Sequence, residues 1–301
     1  MKKILVIGST VVDIIINVDC LPTTKGDIHI KSQEMSMGGC AYNVSDILRH
    51  FGTPHTLFSP IGTGIYGDYI RKVFSQKGLV SPVPTPDMDN GCCYCFVEDS
   101  GERTFISYHG AEYLIQKNWL DAIDMSEFSS IYICGLEIEE KTGLDIVEFL
   151  CDNRTVPIFF APGPRINRIA SELLDKLFQL SPILHLNEDE ILGYTGEQTI
   201  KSAAQALYKK ANNTIIVTAG ADGAYCFDGK DLFHAAAQKV GSVVDTIGAG
   251  DSHIGALMAC IYRGDTLQKA TETANKIAAA VVSTKGALLK EKDFRKLLES
   301  L

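Results

Sequence analysis

The 301-residue sequence predicts an α/β fold in which a mostly parallel sheet is covered by helices. Three observations lead there. Apolar, β-rich runs alternate with helical patterns through most of the chain. Two strand-like regions interrupt that rhythm, and glycine clusters stand where strands give way to helices.

The strand candidates, in order, are Lys3–Gly8, His55–Ser59, Ser130–Cys134, Pro157–Phe160, Ile183–Leu186 and Thr214–Thr218. Gly67–Lys77, Lys141–Cys151, Arg168–Leu177 and Ile200–Lys210 carry helical patterns between them. Asp251–Tyr262, Thr266–Ser283 and a short charged stretch at Lys290–Leu298 complete the helices. The two interruptions, Val12–Met37 and Gly91–Ala111, have turn residues at Lys25-Gly26-Asp27 and Asp99-Ser100-Gly101 and resemble hairpins more than crossover units. Together they predict a small sheet apart from the main one, suited to covering a site. Its unpaired strand edges are also a natural surface for a dimer.

The formal charge of −9 argues against a broad nucleic-acid footprint, which needs clustered Lys and Arg, and leaves room for a local basic pocket. Met1-Lys2-Lys3 precedes a short apolar run that soon reaches Asp13, which fits neither a signal peptide nor a membrane span. The expected location is the cytoplasm. Nine cysteines, at 20, 40, 92, 93, 95, 134, 151, 226 and 260, form no even framework and are expected to be reduced. Strand alternation puts Cys93 and Cys95 on one face and Cys92 on the other, which argues against a metal site in that cluster.

The richest segment, Asp245 to Met258, reads D-T-I-G-A-G-D-S-H-I-G-A-L-M and runs into an apolar helix. A Gly248-Ala249-Gly250 loop opening a helix aims backbone N–H groups and the positive end of the dipole at a common point, an anion hole. Asp251, in the first turn, adds a proton acceptor beside it. An ordinary glycine turn with an Asp cap explains the same letters.

Gly38-Gly39 with Asn43 four residues beyond Gly39 forms a second cluster, and Asp13 follows the first strand. A carboxylate and an amide suit a polyol, whose hydroxyls both donate and accept; an N-cap Asn and a solvated turn Asp are the plainer alternatives. In I-L-H-L-N-E-D-E-I, Asn187 and Glu190 project from the carboxyl end of a strand, where hard oxygens suit Mg²⁺ through water. An N-capped acidic first turn is the alternative there. Thr218-Ala219-Gly220 closes the next strand and offers backbone and hydroxyl groups to nucleotide phosphates, or simply turns the chain. Gly62-Thr63-Gly64-Ile65-Tyr66-Gly67 matches a dinucleotide fingerprint, but it does not follow the first strand and lacks the later acidic residue.

Taken together, G-x-x-x-x-D at 8–13, G-G-x-x-x-N at 38–43, N-x-x-E at 187–190, T-x-G at 218–220 and D-T-x-G-A-G-D at 245–251 resemble the PfkB, or ribokinase-like, family of carbohydrate and nucleoside kinases. The resemblance spans almost the whole chain. It implies one ribokinase-like three-layer α/β/α domain over 1–301, with a β lid formed by about 12–37 and 91–111. It also implies transfer of the γ-phosphoryl of ATP to a hydroxyl of a small sugar. Asp251 then matches the base, and Gly248, Ala249 and Gly250 match the anion hole. Asp13, Gly39, Asn43 and Glu137 match sugar ligands. Asn187 and Glu190 match the pair that organises Mg²⁺, while Thr218, Gly220 and Asn275 match nucleotide contacts.

Some positions depart from the pattern. His253 stands where Phe is commoner, and Ala161 where Asp or Asn is commoner, leaving Arg165 as the polar contributor of that loop. The resemblance implies a monovalent-cation site at the Asp245 side chain with the carbonyls of Ile247, Val281, Thr284 and Gly286. Lys290 falls about where a Ser oxygen would complete it, so dependence on K⁺ stays open. The expectation is an ATP- and Mg²⁺-dependent sugar kinase, dimeric through its lid. A nucleoside kinase and a non-catalytic sugar-binding or regulatory protein are the alternatives. A phosphorylated substrate would need cations near the lid, for which Lys25, Lys31 and Arg103 are candidates, each otherwise a solvated charge.

Overall fold

A computed structural model describes residues 2–299. Met1, Ser300 and Leu301, at the ends of the expected 1–301 domain, lie outside the described residues. The first strand shows why the architecture forms. In β1 (Lys3–Ile7) Ile4 and Val6 enter one apolar core while Leu5 and Ile7 enter a second. A strand buried on both faces calls for a parallel sheet with helices on either side.

Before the first crossover the chain makes β2 (Val11–Asn17) and β3 (Ser32–Gly38). Then follow α1 (Cys40–His50), β4 (His55–Phe58) and α2 (Gly64–Lys77). A second excursion makes β5 (Cys92–Val97) and β6 (Arg103–Tyr108). The βα rhythm resumes with α3 (Lys117–Leu120), β7 (Phe128–Cys134), α4 (Gly135–Glu139), α5 (Gly143–Asp152), β8 (Ile158–Ala161) and α6 (Ser171–Gln179). It continues through β9 (Ile183–Asn187), α7 (Glu188–Thr195), α8 (Ile200–Ala211) and β10 (Ile215–Thr218). An antiparallel pair, β11 (Gly223–Phe227) and β12 (Leu232–Ala236), precedes α9 (Ala249–Tyr262), α10 (Leu267–Val282) and α11 (Glu291–Leu298).

The main sheet runs β12-β11-β10-β9-β8-β7-β1-β4, parallel from β4 to β10 and antiparallel at its β11 and β12 edge. The six strands expected from the sequence are those six parallel ones; β12 is an addition. One core joins the sheet to α1, α2, α9, α10 and α11, the other to α5, α6, α7 and α8. Leu5 is fully buried between strand neighbours, so Leu5→Ala costs about 2–5 kcal/mol.

The separate sheet has four strands, β3-β2-β5-β6. Its two antiparallel pairs join through a parallel contact of β2 with β5, so the two excursions form one surface. The β5–β6 turn is tight, with the Gly101 amide on the Glu98 carbonyl. The connection of β2 to β3 is instead a long loop over residues 18–31, so that half is not a tight hairpin. Register puts Ile14, Met35, Tyr94 and Ile106 on one face, where α2 packs behind Ile14 and Tyr94. Residues 13, 15, 93, 95, 103 and 105 share the other.

Candidate active site

The order of strands reverses at β1, which lies between β4 and β7, and such a switch opens a crevice at the carboxyl ends of the strands. Gly39 caps α1 there with φ +97°, and a Cβ on it would sit 2.5 Å from the Ser9 carbonyl oxygen. Only glycine lets the start of α1 press against the turn after β1. Asn43, one helical turn in, is therefore not the cap. Its Nδ2 crosses to α9 and donates to Asp251 Oδ2 at 2.8 Å, while its buried Oδ1 takes no hydrogen bond among the described residues.

Gly248 opens α9 in the left-handed region, φ +72°, and a Cβ there would lie 2.6 Å from the Ala287 carbonyl oxygen. The first-turn amides of the following helix point out of its N-terminus, as helix geometry requires. Ala249 N–H leans toward Thr246 O at 3.3 Å, so the loop shares one of its donors internally.

Two carboxyls in the crevice are held above the usual range. Burial pushes Asp251 up to about 6, opposed by hydrogen bonds from Asn43 and Cys40, with the Glu137 charge adding to the rise. Burial pushes Asp13 up to about 7, helped by the charges of Asp251 and Asp245. Carboxyls raised by burial and neighbouring charge are found where proton transfer or ligand binding needs them.

Glu137, the remaining residue matched to a sugar ligand, lies at the base of the crevice. It is buried beneath the β1–β2 turn, accepts the Ser9 amide at 2.7 Å and the Cys134 thiol at 2.6 Å, and is raised by burial. Its oxygens brace the chain below the crevice.

Asn187 and Glu190 form a capping box: Asn187 Oδ1 accepts the Glu190 amide at 2.8 Å, and Glu190 Oε2 accepts the Asn187 amide at 2.9 Å. Burial raises the Glu190 carboxyl, and the charges of Asp189 and Asp251 push the same way. Hard oxygens under like-charge pressure fit a divalent cation, which would relieve it.

On the far side of the anion loop lies a cavity of about 490 Å³. Thr218, Gly220, Ala249, Gly250, His253 and Asn275 line it, so the three expected nucleotide residues and the helix end converge on one space.

A pfkB family carbohydrate kinase model matches residues 1–293. The chain belongs to the pfkB family of carbohydrate kinases. It is accordingly a phosphotransferase with an alcohol group as acceptor, in a family that uses ATP. An uncharacterized sugar kinase, YegV, of Escherichia coli is 32% identical over 289 residues, covering 95% of this chain and 90% of that protein. Mouse ketohexokinase is 27% identical over 293 residues, covering 95% and 97%. The crystal structure of ribokinase from Thermotoga maritima superposes with a TM-score of 0.85 at 22% identity, covering 99% of this chain and all of that one, a likeness of fold.

Within this pfkB kinase, one charge of the small sheet reaches the anion loop. Arg103 is not a solvated strand charge: its Nη1 pairs with Asp245 Oδ1 in a partly buried contact between the small sheet and the anion loop. Asp245 also accepts the Ile247 and Gly286 amides, at 2.9 and 2.8 Å, and these partners hold its carboxyl below the usual range against its burial. Val281 O already accepts both the amide and the hydroxyl of Thr284. Arg103 thus already brings positive charge to the Asp245 carboxylate, the side chain of the implied monovalent-cation shell.

His253 is buried in a chain with His185 Nε2 at 2.9 Å from its Nδ1 and Asn275 Oδ1 at 3.1 Å from its Nε2. Burial holds it down to about 4. The sequence signal for His185 was one polar letter in an otherwise apolar strand, I-L-H-L. Gly62–Gly67 is clasped by its own chain: Asn90 Oδ1 takes the Gly62 amide, and Arg71 Nη1 donates to the Gly62 carbonyl. Lys31 is tied to Asp19 and Asp99, away from Asp245.

Proposed function

We propose that this kinase phosphorylates a hydroxyl of a small sugar with ATP, with Asp251 as the base. One observation carries the reading. Asp251, oriented by Asn43, stands in the first turn of α9 beside Gly250, which lines the 490 Å³ cavity, and its charge acts on Asp13. A sugar hydroxyl beside Asp251 gives its proton to the carboxylate as its oxygen bonds to the γ-phosphorus, and the bond to the bridging oxygen breaks to leave ADP. Such a transfer asks for positioning and charge stabilisation more than for a strong base. Gly248, Ala249 and Gly250 supply backbone donors and the helix dipole to the transferring group. Asp13, Gly39 and Asn43 bind the sugar, Thr218, Gly220 and Asn275 hold the nucleotide side, and Glu137 supports the sugar floor.

Asn187 and Glu190 would hold Mg²⁺ through water, where it supplies positive charge to the phosphates. The whole chain acts as one kinase domain. The small sheet over 12–37 and 91–111 serves as its lid, and water exclusion beneath it suppresses hydrolysis of ATP. The exposed lid residues Ile106, Tyr108 and Met35 are the face on which two copies pair. Among the described residues no helix is long and apolar enough to cross a membrane, in keeping with the proposed cytoplasmic location.

The test is ADP release over a panel of sugars and nucleosides. At least one sugar is expected to raise it, and Asp251→Asn is expected to lower kcat about 10³-fold with the fold intact. Release with nucleosides alone would select a nucleoside kinase, and ligand binding without any release would select a non-catalytic protein. Wild-type turnover by Asp251→Asn would remove the base from the proposal.

A further inference from the structure

The buried chain behind the nucleotide side of the cavity has a direction that its partners determine. Asn275 Nδ2 donates to the carbonyls of Ala235 at 2.8 Å and Ala236 at 3.2 Å, groups that only accept. Its Oδ1 therefore faces His253, and His253 Nε2 must carry the hydrogen between them. A second hydrogen on His253 would bury an imidazolium in a chain that holds no carboxylate, which is costly. His253 Nδ1 is thus an acceptor, and His185 Nε2–H donates to it at 2.9 Å.

The order runs from β9 through α9 to α10 and ends on the last residues of β12. Those residues lead straight into Ala237, Gln238, Lys239 and Val240, which form a wall of the cavity, while His253 and Asn275 line it themselves. The Asn275 amide hydrogens are both spent on this wall. The residue braces the cavity rather than offering a donor into it.

Resting on the kinase reading, we propose that His253 is a positioning residue for the nucleotide: through Asn275 it holds the wall from Ala235 to Val240 in register with the start of α9. The place commonly filled by an apolar ring in the resembling family is here the centre of a polar brace.

His253→Phe keeps an aromatic ring, loses both hydrogen bonds and strands the Asn275 oxygen and the His185 N–H. The Kd for ADP, titrated calorimetrically without sugar, and the KM for ATP are expected to rise about tenfold, while the KM for the sugar stays within about twofold. His253→Gln, whose amide can donate to Asn275, is expected to recover much of the nucleotide affinity. Should the Phe variant not fold, His253→Gln compared with the shorter His253→Asn gives the same contrast. An ADP Kd within about twofold of wild type in His253→Phe, equal rises in both KM values, or Phe and Gln variants that behave alike would overturn the proposal. Wild-type protein that binds ADP yet phosphorylates no sugar would remove the kinase reading alone, because the ADP titration still judges the brace.

Discussion

The main sheet and the four-stranded sheet solve opposite problems. The parallel strands β1, β7, β8, β9 and β10 are short, apolar and buried on both faces, and they present their carboxyl ends to the crevice as a rigid rim. The small sheet packs only part of one side against α2, behind Ile14 and Tyr94, and carries two charged residues on the other. Asp13 and Arg103 share its crevice face, and Arg103 reaches Asp245 of the anion loop. A second lid-to-loop pair, Glu34 with Lys285, is exposed on both sides and adds little. In the proposed reaction the rim would fix where phosphoryl chemistry occurs, while the small sheet meets the anion loop through one partly buried ion pair.

The sharpest test of the rim is the contact that aims its carboxylate. Asp251 accepts a proton only when ionised, and its carboxyl sits at about 6 with Asn43 Nδ2–H stabilising the charged form. In wild type kcat/KM is expected to climb with pH through about 6 to 7, with Asp13 at about 7 contributing to the same limb. Asn43→Leu removes the donor, so the limb moves to higher pH and kcat/KM at neutral pH falls about 100-fold. An unmoved pH limb would show that Asn43 does not set the state of Asp251.

Arg103→Ala tests the other half of the comparison. It leaves Asp245 with two amide donors and no counter-charge, so the lid loses its hold on the anion loop. The KM for sugar is expected to rise about tenfold, and amide exchange in β5 and β6 to quicken. Unchanged exchange in those strands would mean that the pair does not latch the lid. Ile106→Glu, on the opposite lid face and 57% exposed, is expected to leave one protomer folded while light scattering shows the dimer lost. A wild-type monomer at working concentration would end the dimer proposal.

The two regions were also unequally readable. Continuous apolar runs identify the six parallel strands because burial on both faces leaves no polar alternation to mislead. D-T-I-G-A-G-D locates the α9 terminus because only glycine tolerates the backbone at 248. N-x-x-E announces its capping box directly. The small sheet was visible as a break in rhythm, but the long 18–31 loop was not, since nothing in a strand pattern gives loop length. Arg103 with Asp245, and His185 with His253 and Asn275, join residues far apart in the chain. Single-segment periodicity cannot report such pairs, so the sequence offers Arg103 only as a lid cation or a solvated charge. The depth of Glu137 is hidden for a related reason: its letters name a carboxylate, while its place beneath Ser9 follows only from the turn above it.

The smallest expected effect concerns stability. Asp13 has its carboxyl raised to about 7, against 3.8 as the ordinary value, chiefly by burial. Between those values the folded chain binds a proton that the unfolded chain has released. The stability this group contributes is therefore complete below about 3.8 and is lost as pH rises toward about 7, the reverse of a salt-bridged carboxylate. Asp13→Asn removes the buried charge at alkaline pH, so Tm at pH 8 is expected to rise by about 2 °C, with little change at pH 4 where Asp13 is already protonated. The same substitution weakens sugar binding under the proposed reaction, because a polyol hydroxyl loses its strongest acceptor. A Tm gain at pH 8 that comes with lost sugar affinity would show that the lid strand carries a carboxylate at the expense of its own stability. An unchanged Tm at both pH values would mean that solvent reaches Asp13 freely enough to relieve its burial, and that the lid stands more open than the Arg103 contact holds it.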